Sequence, residues 1–151
     1  MPSDTLTILK SLGVALRKSF KREDGSWHQQ PQQFPSLFKV EEVHVGGFEK
    51  LGEVVGPLAD IPSKAAVSGK LSTTVDPLSV RRTKNNFESQ SRRWIMLDID
   101  GVSGVSSSDL SSRSHEALVA EAVTHLPEEF QHAKCWYHLS SSMGIKPGIT
   151  C

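Results

Sequence analysis

Apolar and polar residues alternate over short stretches in the first third of the chain, a pattern typical of β-strands. Residues 5–9 alternate most regularly, and residues 14–21 and 38–45 carry apolar residues between polar ones. The intervening residues 22–35 are rich in Gln, Gly, Asp and Pro and are interpreted as a loop. The short segment 64–71 fits either a strand or a loop.

Two other stretches place apolar residues at the three- and four-residue spacing of a helix. The first is predicted to begin after Gly46 and Gly47 and to end near Gly56. The second is predicted to have Ser114 as its N-cap and to end at Pro127. Its apolar face comprises Leu118, Val119, Ala122, Val123 and Leu126.

A βαβ-like unit is predicted from residue 94 to residue 140. Apolar residues lead into Asp98 and Asp100, and the segment 133–140 is interpreted as a buried strand after the second helix. A crossover of this length predicts that the two strands are parallel neighbours. Their carboxyl ends would then meet at one edge of a sheet, where such folds bind ligands.

Asp98 and Asp100 form the strongest candidate site in the sequence. Residues at positions i and i+2 of a strand point to the same face, so the two carboxylates would lie side by side before Gly101. Hard cations such as Mg²⁺ and Mn²⁺ take carboxylate and phosphate oxygens as ligands. The sequence therefore predicts a Mg²⁺ or Mn²⁺ site here, against the alternative of two solvated aspartates at a strand end.

Basic and hydroxyl side chains elsewhere are candidate phosphate ligands. Arg81, Arg82 and Lys84 form a short basic element, for which a solvated surface is the simpler interpretation. A loop after the last predicted strand offers hydroxyls, backbone N–H groups and one ammonium group. The candidate nucleotide-binding residues are Arg82, Ser140, Ser141, Ser142 and Lys146.

His132, Cys135 and His138 recur every three residues, a spacing that suggests zinc. On a strand, however, Cys135 and His138 would face opposite sides, and a fourth ligand is not evident nearby. A structural role for the histidines is therefore the favoured interpretation.

Composition narrows the class of protein. The 151 residues contain 17 Lys and Arg and 17 Asp and Glu, which argues against a strongly basic nucleic-acid binder but not against a local basic patch. Two cysteines do not make a disulfide framework, and neither a signal peptide nor a membrane span is recognised. A cytoplasmic protein without membrane association is expected.

The chain resembles the primase–polymerase domain of the archaeo-eukaryotic primase superfamily, in the forms found on phages, plasmids and integrated elements. Residues 62–71 are similar to an early segment of that family, and residues 80–87 followed by 93–101 resemble the approach to its first motif. Residues 136–148 resemble the strand and loop before its second motif. Thr150 and Cys151 match the start of that motif, whose histidine would come next.

This resemblance implies a metal-dependent nucleotidyltransferase from a mobile-element replication protein. Asp98 and Asp100 would be the catalytic metal ligands, with Mg²⁺ or Mn²⁺ as cofactor, and nucleoside triphosphates and a DNA template as partners. The implied fold is α+β: residues 79–151 begin an RRM-like catalytic core, and residues 1–71 form an N-terminal α/β portion. The chain is expected to be a single domain, incomplete at its C-terminus, and a helicase domain could follow in the parent protein.

Two alternatives remain open at this stage. Asp98-Ile99-Asp100-Gly101-Val102 also resembles the first motif of haloacid-dehalogenase-like phosphatases, with Asp98 as nucleophile and Asp100 as acid/base. Such domains usually place this motif near the N-terminus, and they need a later acidic pair that is not found after Ser140. The other alternative is an inactive, truncated domain that only binds metal or nucleic acid, because the second motif is incomplete and the third aspartate is missing.

Overall fold

The computed structural model describes residues 4–97 and 113–138, and the fold is given for these residues. It is a mixed α+β structure with small antiparallel sheets and few helices. The strands are β1 (Thr5–Ser11), β2 (Phe20–Glu23), β3 (Ser26–Gln29), β4 (Phe38–His44), β5 (Lys64–Val67), β6 (Lys70–Leu71) and β7 (Phe87–Glu88). The helices are α1 (Phe48–Val55), α2 (His115–Val123) and α3 (Glu128–Gln131), with 3₁₀ turns at Gly56–Asp60 and Lys84–Asn86.

Strand β1 is the centre of a three-stranded antiparallel sheet in the order β4-β1-β5. Leu6 pairs with Val43 of β4, and Leu9 pairs with both Val40 and Ala65 of the two neighbouring strands. The strand predictions for residues 5–9 and 38–45 are therefore confirmed. The undecided segment 64–71 is resolved into β5 and β6, and β6 pairs with β7 in a separate two-stranded sheet.

The main core covers one face of this sheet. Leu6 and Ile8, at positions i and i+2 of β1, cluster with Val45 and are at most 4% exposed. Apolar residues of α1 and the turn after it pack on the cluster, namely Leu51, Val54, Val55 and Leu58. The helix predicted from the spacing of Phe48, Leu51, Val54 and Val55 is thus confirmed as α1, and its apolar face explains why it forms where it does.

The other face of β1 is buried as well, because Thr7 and Leu9 are 0% and 1% exposed. A strand that is covered on both faces cannot alternate strictly between buried and solvent positions. Burial accordingly runs without interruption from Leu6 to Leu9, although the sequence alternates there.

The prediction of a strand over residues 14–21 and a loop over 22–35 is wrong in large part. Strand β2 begins only at Phe20, near the end of the predicted strand, and continues into the predicted loop, where it forms a hairpin with β3. Its two-residue turn is Asp24-Gly25, with φ angles of 49° and 79°. Positive φ at both positions is the type I′ geometry that Asp-Gly favours, so the turn explains the hairpin.

The two strands of the predicted βαβ unit are not formed by those of their residues that the structure describes. Residues 94–97 and 133–138 have no regular structure, and every strand pair among the described residues is antiparallel. Trp136, in the segment predicted to be a buried strand, is 51% exposed, and Ile95, in the apolar residues before Asp98, is 62% exposed. The remaining residues of the two segments, 98–100 and 139–140, lie outside the described residues.

The helix predicted after Ser114 is confirmed as α2. The Ser114 hydroxyl accepts a hydrogen bond of 3.2 Å from the backbone N–H of Ala117, which satisfies one of the free donors at the helix start. Leu118 is its buried residue. The helix ends at Val123, so Leu126, predicted on its apolar face, lies after its last residue, and Pro127 is followed by the short helix α3.

The chain divides into two compact units. Of the described residues, one unit contains 4–17 and 31–96, including the three-stranded sheet and α1, and the other contains 18–30, 97 and 113–138, including the hairpin and α2. A helix long and apolar enough to cross a lipid bilayer is not found in the described parts of the chain.

Candidate functional site

Arg82, a predicted phosphate ligand, lines a cleft of about 360 Å³ in the first unit. This volume lies in the range of roughly 300–1,000 Å³ that is common for ligand sites. The cleft is formed by the loop before β4, the first residue of β4 and the basic segment after Val80. Its lining residues are Phe34, Pro35, Ser36, Phe38, Arg81, Arg82 and Thr83.

The basic segment starts from a fixed point in the fold. Val80 is fully buried and forms an antiparallel bridge with Phe38, the first residue of β4. The backbone N–H of each residue donates to the carbonyl of the other at 2.8 Å. Arg81 and Arg82 therefore leave the edge of the sheet from a position held by two hydrogen bonds.

The segment is also held at its far end. The carbonyl of Arg81 accepts hydrogen bonds from the backbone N–H of Thr83 and from the side-chain amide of Asn86, both at 2.8 Å. The backbone N–H of Asn86 donates to Thr83, and its carbonyl accepts from the N–H of Ser72 at 3.0 Å. These bonds define the backbone of Arg81–Thr83 without using either guanidinium group.

Both guanidinium groups are available to a ligand. Arg81 and Arg82 are exposed, and within residues 4–97 and 113–138 neither forms an ion pair. Guanidinium groups bind phosphate and carboxylate oxygens through a planar set of donors. The cleft can therefore bind an anion, and the hydroxyls of Ser36 and Thr83 add donors at its wall.

The other predicted site residues are not brought to this cleft by the described structure. Asp98, Asp100, Ser140, Ser141, Ser142 and Lys146 lie outside the described residues. Lys84 belongs to the 3₁₀ turn after the cleft and does not line it. The structure thus places Arg82 in a cleft. The metal site at Asp98 and Asp100 and the phosphate-binding loop with its serines stay predictions from sequence.

The evenly spaced His132, Cys135 and His138 are all exposed. Among the described residues, a group of three or more His, Cys, Asp or Glu side chains that could hold a metal ion is not found.

Arg92 and Arg93, a few residues before Asp98, contact Asp4 and the first residue of β1, and no pattern in the sequence predicts these contacts. Arg93 forms an ion pair with Asp4, whose side chain is only 5% exposed, through two hydrogen bonds to one carboxylate oxygen. Arg92 donates to the carbonyl of Thr5 and lies 4.8 Å from the centre of the Trp94 ring, a cation–π distance. Side chains rather than backbone pairing therefore attach this segment to the start of β1.

The ion pair between Arg93 and Asp4 makes the free energy of unfolding depend on pH. Hydrogen bonds from Arg93 lower the pKa of the Asp4 carboxyl, and the same contact raises the pKa of the guanidinium. Because the pKa of Asp4 is lower in the folded state, its stabilising contribution is complete above the unfolded pKa of about 3.9. The contribution is lost as the pH falls through the folded pKa.

We therefore expect Asp4→Asn to be less stable than wild type at pH 7 and to lose less stability on acidification. Urea unfolding followed at a series of pH values between about 7 and 3 measures both effects. Asp60→Asn, at an exposed residue after α1, is the matched control and should follow the wild-type curve. Parallel curves for Asp4→Asn and wild type would show that the ion pair does not carry the acid dependence.

Comparison with protein-family models, with curated proteins and with solved structures found no match to the chain.

Proposed function

We propose that the chain is part of a metal-dependent DNA primase–polymerase domain, a nucleotidyltransferase of a mobile-element replication protein. The supporting structural observation is the cleft of about 360 Å³, in which Arg81 and Arg82 are fixed by their backbone and free to bind phosphate. The sequence adds Asp98 and Asp100, whose carboxylates suit the hard cations of this chemistry.

In the proposed reaction, Asp98 and Asp100 hold Mg²⁺ or Mn²⁺, which when bound offsets the charge of the triphosphate and of the leaving pyrophosphate. Arg82, Ser140, Ser141, Ser142 and Lys146 bind phosphate oxygens of the nucleotide and orient it. The RRM-like core and the cytoplasmic location belong to the same proposal.

The test is templated nucleotide incorporation by the purified full chain. Labelled nucleoside triphosphates are supplied with a DNA template, with and without a primer, in Mg²⁺, in Mn²⁺ and in a chelator. Template-dependent incorporation that needs the metal is the expected result. The absence of incorporation in every condition would overturn the proposed activity and favour an inactive domain that only binds.

A parallel measurement separates the phosphatase alternative. A phosphatase of the haloacid-dehalogenase type would form an aspartyl-phosphate on Asp98. Incubation with a labelled phosphomonoester, followed by acid quenching and peptide mapping, detects this species. Label on Asp98 would replace the primase proposal with the phosphatase one, and an unlabelled Asp98 is expected.

A further inference from the structure

We propose that the cleft formed by Phe34, Ser36, Phe38, Arg81 and Arg82 binds a single strand of DNA, with a base stacked on Phe34 and phosphates on the arginines. The choice of DNA rests on the proposed function. The binding itself does not require Asp98 or Asp100, so it can be tested in the absence of metal.

Phe34 provides the stacking surface. It is 60% exposed although it is a large apolar residue, whereas Phe38 in the same cleft is 6% exposed and fixed at the start of β4. One ring is thus buried, and the other presents its surface to solvent. Aromatic side chains next to cationic ones are the usual combination in surfaces that bind single strands.

The arginines provide the contact to the backbone of the strand. Their own backbone is held by the Val80 bridge and by the two hydrogen bonds to the Arg81 carbonyl, so little main-chain order remains to be gained on binding. The lining residues carry two positive charges, and no carboxylate is present among the described residues that line the cleft. An anionic polymer is therefore attracted to the cleft.

The exposed ring favours a single strand over a duplex. Bases in a duplex are stacked on each other, and their faces are not accessible to a side chain, but a single strand can offer them. Phosphates alone would engage the arginines equally in both forms. Stacking on Phe34 is thus the feature that distinguishes the proposed ligand.

The experiment measures binding of a short fluorescent oligo(dT) strand to the full chain by anisotropy, in a chelator and over a range of salt concentrations. Phe34→Ala is expected to raise the Kd about 5- to 150-fold through loss of stacking. Phe34→Tyr, which keeps an aromatic ring at this position, should bind like wild type. Arg82→Ala is expected to raise the Kd and to reduce the slope of log K against log salt by about 0.7, the value for one phosphate contact on a single strand.

Two matched variants control for nonspecific effects. Leu37→Ala removes an exposed apolar side chain next to the cleft, and Arg22→Ala removes one positive charge from the exposed hairpin strand β2. Both should bind like wild type. Equal losses in Leu37→Ala and Phe34→Ala, or in Arg22→Ala and Arg82→Ala, would overturn the proposal.

Competition between the fluorescent strand and unlabelled nucleic acids identifies the kind of ligand that the cleft binds. Excess unlabelled oligo(dT) should displace the probe, whereas a duplex of equal length and free dTTP should displace it poorly. Displacement by dTTP as efficient as by the strand would replace the proposal with a mononucleotide site, and equal displacement by duplex would refute the stacking contact. Normal strand binding by Asp98→Asn, together with lack of incorporation by wild type, would support this proposal while contradicting the proposed activity.

Discussion

Asp98→Asn is expected to reduce metal-dependent nucleotide incorporation about 100- to 1,000-fold. The change replaces a charged ligand by a neutral amide of nearly the same shape, so it removes charge with little steric change. A bound metal supplies several kilocalories per mole of transition-state stabilisation, and about 1.4 kcal/mol corresponds to a tenfold change in rate. Asp100→Asn should have an effect of the same order, since both carboxylates are proposed ligands.

The matched control for this pair is Asp60→Asn, the same chemical change at an exposed residue. It should incorporate nucleotides at the wild-type rate. Titration with Mn²⁺ provides a readout besides activity, because loss of a ligand should weaken Mn²⁺ binding in the Asp98 variant. Unchanged Mn²⁺ affinity and unchanged incorporation in Asp98→Asn would exclude the metal site.

Leu6→Ala is expected to lower the free energy of unfolding by about 3 kcal/mol, within a usual range of roughly 2–5 kcal/mol for buried Leu→Ala changes. Leu6 is 1% exposed and packs with Ile8 and Val45 under α1, so the truncated side chain leaves a cavity that neighbouring groups fill only partly. Trp94 packs against the same cluster. Urea unfolding followed by tryptophan fluorescence therefore includes a signal from this core, besides that of the exposed Trp27 and Trp136.

Leu12→Ala is the control, because Leu12 is 56% exposed and lies directly after β1. It should change the free energy of unfolding by less than about 0.5 kcal/mol. Similar losses in both variants would show that the sheet with β1 at its centre does not form the stable core.

The spacing of apolar residues and a helix-capping serine predicted the helices, because both act between residues that are close in sequence. Four apolar residues at helical spacing placed α1, and a serine before an apolar run placed α2. The hairpin was missed although Asp24-Gly25 is a strong turn signal, because its strands Phe20–Glu23 and Ser26–Gln29 are largely exposed and have little apolar alternation. Turn chemistry, rather than hydrophobic pattern, predicts such a hairpin.

The segment 94–97 and the cleft could not be predicted, because they depend on contacts between residues that are far apart in the sequence. Residues 94–97 are apolar and suit a strand, yet the side chains of Arg92 and Arg93 attach this segment to residues almost ninety positions earlier. The sequence indicated that Arg82 could bind phosphate, but not that Phe34 would lie in the same cleft, because 48 residues separate them. The bridge between Phe38 and Val80 brings the two together, and a single sequence contains no signal for it.

The central position of β1 also determines how its amide protons exchange with solvent. Residues 7–10 pair with strands on both sides, so their hydrogen bonds are released only when the whole sheet opens. The hairpin of β2 and β3 has only two strands and is mostly exposed, so its amides can exchange through local opening. Deuterium uptake should therefore be faster in the hairpin than in the strand at the centre of the sheet.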